Sequence, residues 1–289
     1  MIQISIKQDL KKLIEQANQS DLLQVRFHDW ERQIQWIIDG ENYFWQTSEN
    51  GFQFTDSNQP DIVLKCSRNN LNRIAEIKLP FFISIWATGD IQFQGSFADA
   101  FRLGYIFLSD KRKRKVIFLA HCFLNTNTRF PGGCAYDGAT TPLINTILDC
   151  GVGIIQMPCP EYLCLGLEKY KYGEMAPEKI RKCFREKAEE VIKQIKDYLE
   201  FGFDILGVIG MNPSPSCGVE ITKGKGTMLG IDRDTSEKEG PGVFIEELIK
   251  LLKEERIENI PIFGIRRILP GEEGIEERLE QIKIRLSQS

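Results

Sequence analysis

Residues Lys111-Arg112-Lys113-Arg114-Lys115-Val116-Ile117-Phe118-Leu119-Ala120-His121-Cys122-Phe123-Leu124-Asn125 decide the fold. The run 116–120 is continuously apolar, as suits a strand buried on both faces of a parallel sheet. Three further runs repeat the pattern: Val152-Gly153-Ile154-Ile155, Ile205-Leu206-Gly207-Val208-Ile209 and Ile260-Pro261-Ile262-Phe263-Gly264-Ile265. Between them, apolar spacing predicts helices over 141–148, 177–201 and 243–252; the second aligns Ile180, Phe184, Ala188, Val191, Ile195 and Leu199 on one side. Strand and helix in alternation predict an α/β domain over 116–289, a wound, mostly parallel sheet with helices on both faces. Its charged end, 272–289, reads as one solvent-facing helix.

Upstream, the five consecutive cations at 111–115 repel one another and read as an exposed basic linker. Residues 1–110 follow another pattern. Ile34-Gln35-Trp36-Ile37-Ile38 and Tyr43-Phe44-Trp45 flank Asp39-Gly40, a pair that closes β-hairpins. A second turn at Glu49-Asn50-Gly51 precedes Phe52 and Phe54. Ile62-Val63-Leu64 and Ile91-Gln92-Phe93 read as further strands. Ser67 caps a helix carrying Leu71, Ile74, Ala75 and Ile77, and Gly95-Ser96 opens another from Phe97 to about Leu108. The expectation is a small α+β domain built on an aromatic-rich antiparallel meander.

The chain has 289 residues, 42% of them hydrophobic and 27% charged, which predicts two packed domains and argues against intrinsic disorder. A net charge of -4 and a pI near 5.5 argue against a long nucleic acid as partner. No apolar run reaches the roughly 18 residues of a membrane span, and Met1-Ile2-Gln3-Ile4-Ser5-Ile6-Lys7 lacks the apolar core of a signal peptide. The expected location is cytoplasmic, where thiols stay reduced.

The eight cysteines are unevenly placed. Cys66 stands alone; Cys122, Cys134, Cys150, Cys159, Cys164, Cys183 and Cys217 follow in the second domain, a concentration that points to a soft metal, an iron-sulfur cluster or sulfur chemistry. Cys122, Cys159 and Cys217 each fall just past the carboxyl end of an expected strand, the edge at which open α/β sheets bind ligands. The three are therefore expected to meet. Cys134, in Pro131-Gly132-Gly133-Cys134, competes for the role. Cys150 and Cys183 read as inert apolar side chains, and Cys164 lies five residues past Cys159. Around the thiols, Met157-Pro158-Cys159-Pro160-Glu161 supplies a carboxylate, Ser214-Pro215-Ser216-Cys217-Gly218 supplies hydroxyls, and Tyr136-Asp137-Gly138 adds a phenol and a carboxylate. Lys223 and Lys225, in Thr222-Lys223-Gly224-Lys225-Gly226, offer cations for a substrate phosphate or form a plain flexible loop. Arg266 and Arg267 could reach the same edge. Four-ligand structural zinc is disfavoured, since no Cys-x2-Cys pair is present.

Residues 1–110 resemble the sterol carrier protein 2-like family, in element order and in Gly89-Asp90-Ile91-Gln92-Phe93-Gln94-Gly95-Ser96 leading into Ala98, Ala100 and Leu103. The resemblance implies a domain that binds lipid or another hydrophobic ligand without catalysis. The same aromatics, Trp36, Trp45, Phe52, Phe81, Phe82 and Trp86, equally read as plain core.

Over about 116–270, the series His121-Cys122-Phe123-Leu124-Asn125, Tyr136-Asp137-Gly138, Pro158-Cys159-Pro160-Glu161 with Gly166-Leu167, and Ser214-Pro215-Ser216-Cys217-Gly218 resembles the thiouracil desulfidase (TudS) family, closest to its TudS-related branch. That resemblance implies a 4Fe-4S cluster held by Cys122, Cys159 and Cys217 with one open iron, Glu161 as acid/base and Ser214 or Ser216 as the assisting hydroxyl. Tyr136, Asp137, Lys223 and Lys225 stand as substrate-binding candidates. Two departures are visible: a longer loop carrying the extra Cys134, and Glu168-Lys169-Tyr170 in place of Pro-Arg. The expected function is non-redox removal of sulfur from a small thiocarbonyl compound such as thiouracil or a thiouridine monophosphate. The alternative is a non-enzymatic cluster- or metal-binding protein whose first domain binds a hydrophobic ligand; under either reading the chain could form a homodimer.

Overall fold

The computed structural model describes residues 5–19, 27, 29–49, 51–76, 81–107, 115–129, 132–167, 169 and 175–287. The chain divides into two compact units, Met1–Arg112 and Lys113–Ser289. Of the expected linker, 111–114 lie outside the described residues, and Lys115 is already the first residue of a strand.

In the first unit α1 (Ile6–Asn18) begins at Ser5, which forms a capping box with Gln8. Two backbone donors of the first turn are thereby satisfied reciprocally. Strands β1 (Gln33–Ile38), β2 (Glu41–Ser48) and β3 (Gly51–Phe54) form the expected meander. Asp39 and Gly40 both take positive φ, 50° and 91°, as the two-residue hairpin requires. Then come β4 (Ile62–Cys66), α2 (Arg68–Ala75), α3 (Phe81–Trp86), β5 (Ile91–Gln94) and α4 (Phe97–Gly104). Ser67 and Ser96 cap α2 and α4 as expected. The α-helix of α4 ends at Gly104 and continues as a 3₁₀ turn through Phe107, while Ile77 and Leu108 lie outside the described residues.

The sheet order is β3-β2-β1-β4-β5. β4 lies parallel to β1, and the other pairs are antiparallel, so the sheet is more than the meander read from the sequence. Ile34, Trp36 and Ile38 alternate inward along β1 and meet Trp45, Ile62, Leu64, Leu71 and Leu10 in one core. The aromatics divide: Trp36, Trp45, Phe52 and Phe81 are buried, but Trp86 is 50% exposed.

The second unit is a four-stranded, wholly parallel sheet of β6 (Lys115–Leu119), β7 (Gly153–Gln156), β8 (Asp204–Asn212) and β11 (Ile262–Arg266). Its order is β11-β8-β6-β7. Helices α5 (His121–Leu124), α6 (Thr141–Asp149), α7 (Pro160–Leu165), α8 (Pro177–Glu200), α9 (Lys225–Met228), α10 (Val243–Glu254) and α11 (Ile275–Ser287) complete it. The chain steps outward from β6 to β7 and back across β6 to β8. Because parallel crossovers are right-handed, α6 and α8 fall on opposite faces, and α6 packs with α11 while α8 packs with α10. The expected α/β layering is therefore present. A short antiparallel hairpin, β9 (Ile221–Lys223) and β10 (Glu237–Glu239), was not legible in the sequence. Helix α11 is not wholly solvent-facing, since Ile282 and Leu286 are buried in the core.

Candidate functional site

The winding direction reverses between β6 and β8, which makes the carboxyl edge there a topological switch point, where two loops diverge and leave a crevice. The loop after each of β6, β7 and β8 carries one of the three cysteines. Ala120 N–H donates to Ile209 O at 2.9 Å and Met157 N–H donates to Leu119 O at 2.9 Å, tying the three strand ends side by side. Cys122 lies in α5. Cys159 is the N-cap of α7, its Sγ accepting from Tyr162 N–H at 3.5 Å. Cys217 ends the loop after β8 and is buried.

That loop is shaped by its own hydroxyls and by helix α10. Ser214 Oγ accepts from Ser216 N–H at 3.3 Å and from Cys217 N–H at 3.1 Å. The carbonyls of Pro215 and Ser216 accept from Val243 N–H (3.0 Å) and Phe244 N–H (3.1 Å). They satisfy the orphan donors of the first turn of α10, which has no side-chain cap at Gly242. Gly218 does not adopt positive φ; its need for glycine is steric. A Cβ there would stand 2.3 Å from Ile221 O and 2.7 Å from Ser214 O, so glycine is needed for loop closure. Gly210, beneath the loop in β8, would place a Cβ 2.3 Å from Cys217 O.

The three thiols lie within electrostatic reach of one another. Burial pushes Cys217 well above the usual thiol range, and the charges of Cys122 and Cys159 push it further. Burial likewise pushes Cys159 up to about 12, with Glu161 and Cys122 adding to it, and raises Cys122 against the opposing charge of Arg129. Burial and mutual repulsion both disfavour the thiolate form of these three groups.

Glu161, in the first turn of α7, is 6% exposed. Its Oε1 accepts from Ser216 Oγ–H at 2.6 Å, and Ser216 Oγ stands 3.6 Å from Cys217 Sγ and 3.3 Å from Ser214 Oγ. The other oxygen, Oε2, is paired with Lys169 Nζ at 2.8 Å. Glu161, Ser214 and Ser216 are thus assembled beside Cys217. On the Cys122 side, Arg129 is buried, contacts Met211 Sδ at 2.5 Å and donates to Gly133 O at 3.2 Å. Met211 Sδ lies 3.5 Å from Cys122 Sγ. Arg267 is depressed by burial and by the like charge of Arg129, with Cys122 and Cys134 acting the other way. His121 Nδ1 is 2.6 Å from the Gln156 amide.

The remaining candidates are placed elsewhere or less directly. Cys134 is exposed and donates its thiol proton to Thr126 O at 2.9 Å. Tyr136 packs half-buried against the core, and Asp137 is exposed. Lys225 is committed to Glu246 and to Pro241 O. It lines a separate cleft of about 390 Å³ with Arg181, Asp232, Asp234 and Lys238, to which none of the three thiol-bearing residues contributes. Lys223 sits in the hairpin, where its charge acts on Glu237. Arg266 pairs with Glu237 at 2.9 Å. Cys164 and Cys183 form a disulfide joining α7 to α8, which corrects the expectation that Cys183 is an inert thiol and that all thiols are free. Helical spacing placed Cys183 on α8 but could not show that α7 packs against it. Sequence reasoning also missed the roles of Lys169, Arg129 and Met211. The one available signal was that Lys169 interrupts the expected Pro-Arg.

Among the described residues, no three His, Cys, Asp or Glu side chains gather tightly enough to ligate a single metal ion. The ligands of a cubane cluster bind different irons and stand farther apart, and soft sulfur donors suit it. Arg129 and Lys169 lie within electrostatic reach of the thiols.

No family model matches the chain. A protein of Methanocaldococcus jannaschii described as uncharacterized protein MJ0003 is 28% identical over 120 residues, 40% of this chain and 74% of that protein. Among solved structures, the stereoselective inverting sec-alkylsulfatase Pisa1 from Pseudomonas sp. matches with TM-score 0.30 and 15% identity over 37% of this chain, which spans only 16% of that enzyme. Sterol carrier protein 2 like 2 from Aedes aegypti matches with TM-score 0.28 and 15% identity, over 35% of this chain and 98% of that one. The sterol carrier protein domain 2 of Helicoverpa armigera gives TM-score 0.28 and 15% identity, over 35% and 83%. Likeness at this level assigns neither ligand nor activity.

Proposed function

We propose that the second domain is an iron-sulfur-dependent, non-redox desulfidase acting on a small thiocarbonyl compound such as thiouracil or a thiouridine monophosphate. The observation that carries this reading is the Ser216–Glu161 hydrogen bond of 2.6 Å set beside three convergent thiols at the switch-point edge. A purely structural metal site has no use for a buried carboxylate-hydroxyl couple at an open edge. The motif resemblance to the TudS family supports the same reading.

A 4Fe-4S cluster held by Cys122, Cys159 and Cys217 supplies, when bound, a thiophilic Lewis acid with one open position. The chain supplies the proton handling. Glu161 accepts a proton from the attacking water, with the Ser216 hydroxyl bridging to Oε1 and Ser214 orienting Ser216. Water adds to the thiocarbonyl carbon, the carbon-sulfur bond breaks as the adduct hydroxyl becomes C=O, and the departing sulfur takes both water protons, one returned by Glu161 and one released by that hydroxyl. C=S and water become C=O and hydrogen sulfide, with no electron transferred.

Anaerobic reconstitution with iron and sulfide, then iron analysis and assay of sulfide released from 4-thiouracil, tests the reading. About four irons per chain are expected. Cys217→Ala loses them; Glu161→Gln keeps them and turns over at least about a hundredfold more slowly. A wild-type chain that takes up only zinc, or a Glu161→Gln variant of normal rate, refutes the mechanism.

For the first domain we infer a sterol carrier protein 2-like module for a hydrophobic ligand. Support comes from an exposed aromatic cluster on α3 and α4: Phe97 is 68% and Trp86 50% exposed, and both rings pack on Phe82. Large exposed apolar patches mark binding surfaces. Native mass spectrometry after mild purification detects a co-purified lipid; a consistently empty domain refutes the assignment.

A further inference from the structure

We infer that Lys169 is a positioning residue of the thiol site, holding the Glu161 carboxylate in the orientation used for proton transfer; this rests on the desulfidase reading. Lys169 and Glu161 are both nearly inaccessible, their side chains 10% and 7% exposed. Taking two opposite charges out of water costs more than their attraction returns unless the remaining valences are also met. On the carboxylate they are met, because Oε2 faces the ammonium at 2.8 Å while Oε1 takes the Ser216 hydroxyl at 2.6 Å. The carboxylate is held at both oxygens, one by the ammonium and the other by the hydroxyl that reaches toward Cys217.

The backbone is arranged to deliver this lysine. Helix α7 closes at Gly166, whose φ is 87°, and Lys169 itself sits at φ 55°, a left-handed conformation that a non-glycine residue adopts at a cost. Lys169 N–H donates to Gly166 O at 3.0 Å. The tight turn sends the side chain back along α7 to its first turn, where Glu161 lies. The lysine also lies within electrostatic reach of Cys159 and Cys122. A surface-anchoring role for α7 needs no such burial and no such turn.

The test uses the reconstituted full chain with 4-thiouracil, comparing wild type, Lys169→Met and Lys169→Arg. Loss of an interaction that matters only in the transition state lowers kcat and leaves KM. Lys169→Met is therefore expected to lower kcat by about tenfold to a hundredfold, with KM and iron content unchanged, and Lys169→Arg to recover most of the rate. A second readout is independent of turnover: in the cluster-free chain, the Lys169 ammonium gives a nitrogen-15 signal protected from solvent exchange, and Glu161→Gln abolishes it. The inference is overturned if Lys169→Met matches wild type in kcat, if KM alone rises, or if no protected ammonium is seen. A wild-type chain that releases no sulfide defeats the desulfidase reading itself, whereas an active wild type with an equally active Lys169→Met defeats only the role of Lys169.

Discussion

Breaking the Cys164–Cys183 bond is expected to destabilise the second domain by an amount the chain length sets. The two residues are 19 apart in sequence. Closing a loop of that length removes about 11 cal/mol/K of entropy from the unfolded chain, or about 3 kcal/mol at 25 °C. With a urea dependence of about 2 kcal/mol/M, the unfolding midpoint should fall by about 1.5 M on reduction. The two domains can be read separately, because Trp30, Trp36, Trp45 and Trp86, all four tryptophans of the chain, lie in the first. Tryptophan fluorescence reports that domain, and far-ultraviolet circular dichroism is dominated by α8 and the other long helices of the second. Oxidised wild type, reduced wild type and the Cys164→Ala/Cys183→Ala double variant should be compared. The dichroism midpoint should drop in the last two by similar amounts while the fluorescence midpoint stays fixed. A dichroism shift below about 0.3 M would refute the loop-entropy reasoning, and a fluorescence shift of equal size would refute independent unfolding of the two units.

Other perturbations follow from particular contacts. Asp99 is buried in the first domain, where it accepts from Ser96 Oγ–H (2.6 Å), Trp30 Nε1–H (2.9 Å) and Arg32 Nε–H (3.1 Å); burial works to raise its pKa, but these partners outweigh it and the net shift is downward. The stability it lends is present above the unfolded carboxylate value of about 3.9 and disappears as pH falls through the lower folded value. Asp99→Asn should therefore cost about 2 kcal/mol near neutrality, with the gap to wild type closing in acid; a gap constant with pH contradicts this. Gly210→Ala should push the Cys217 backbone aside, costing about 1–3 kcal/mol and lowering iron retained per chain while helical content persists. Wild-type iron content in that variant would show that the loop can yield.

The strands and long helices of the second domain were legible because their signals are local. The apolar runs at 116–120 and 205–209 and the spacing of Ile180, Phe184 and Ala188 need no distant partner to be read. The same local logic put Cys122, Cys159 and Cys217 at strand ends, and parallel alignment brings them together. What stayed hidden depends on contacts between segments. The parallel pairing of β4 with β1, the bond between Cys164 and Cys183, and the inward reach of Arg129 are settled by packing that no periodicity records. Lys169 was hidden for a different reason: its role depends on a left-handed backbone angle three residues after a helix end, where lysine is an unfavourable choice. Lys225 shows the converse error. A Gly-Lys-Gly loop near a site invites a phosphate-binding role, yet its ammonium is spent on Glu246.

The three thiols come from three successive strand-loop-helix units, and the last enters the chain only at position 217. Until β8 has paired with β6, there is no place where Cys122, Cys159 and Cys217 can be bridged at once. A group that joined them would therefore be loaded only once β6, β7 and β8 had paired, and would clamp the sheet across its winding reversal. Occupancy of the site becomes a measure of how much of the chain has reached the folded state.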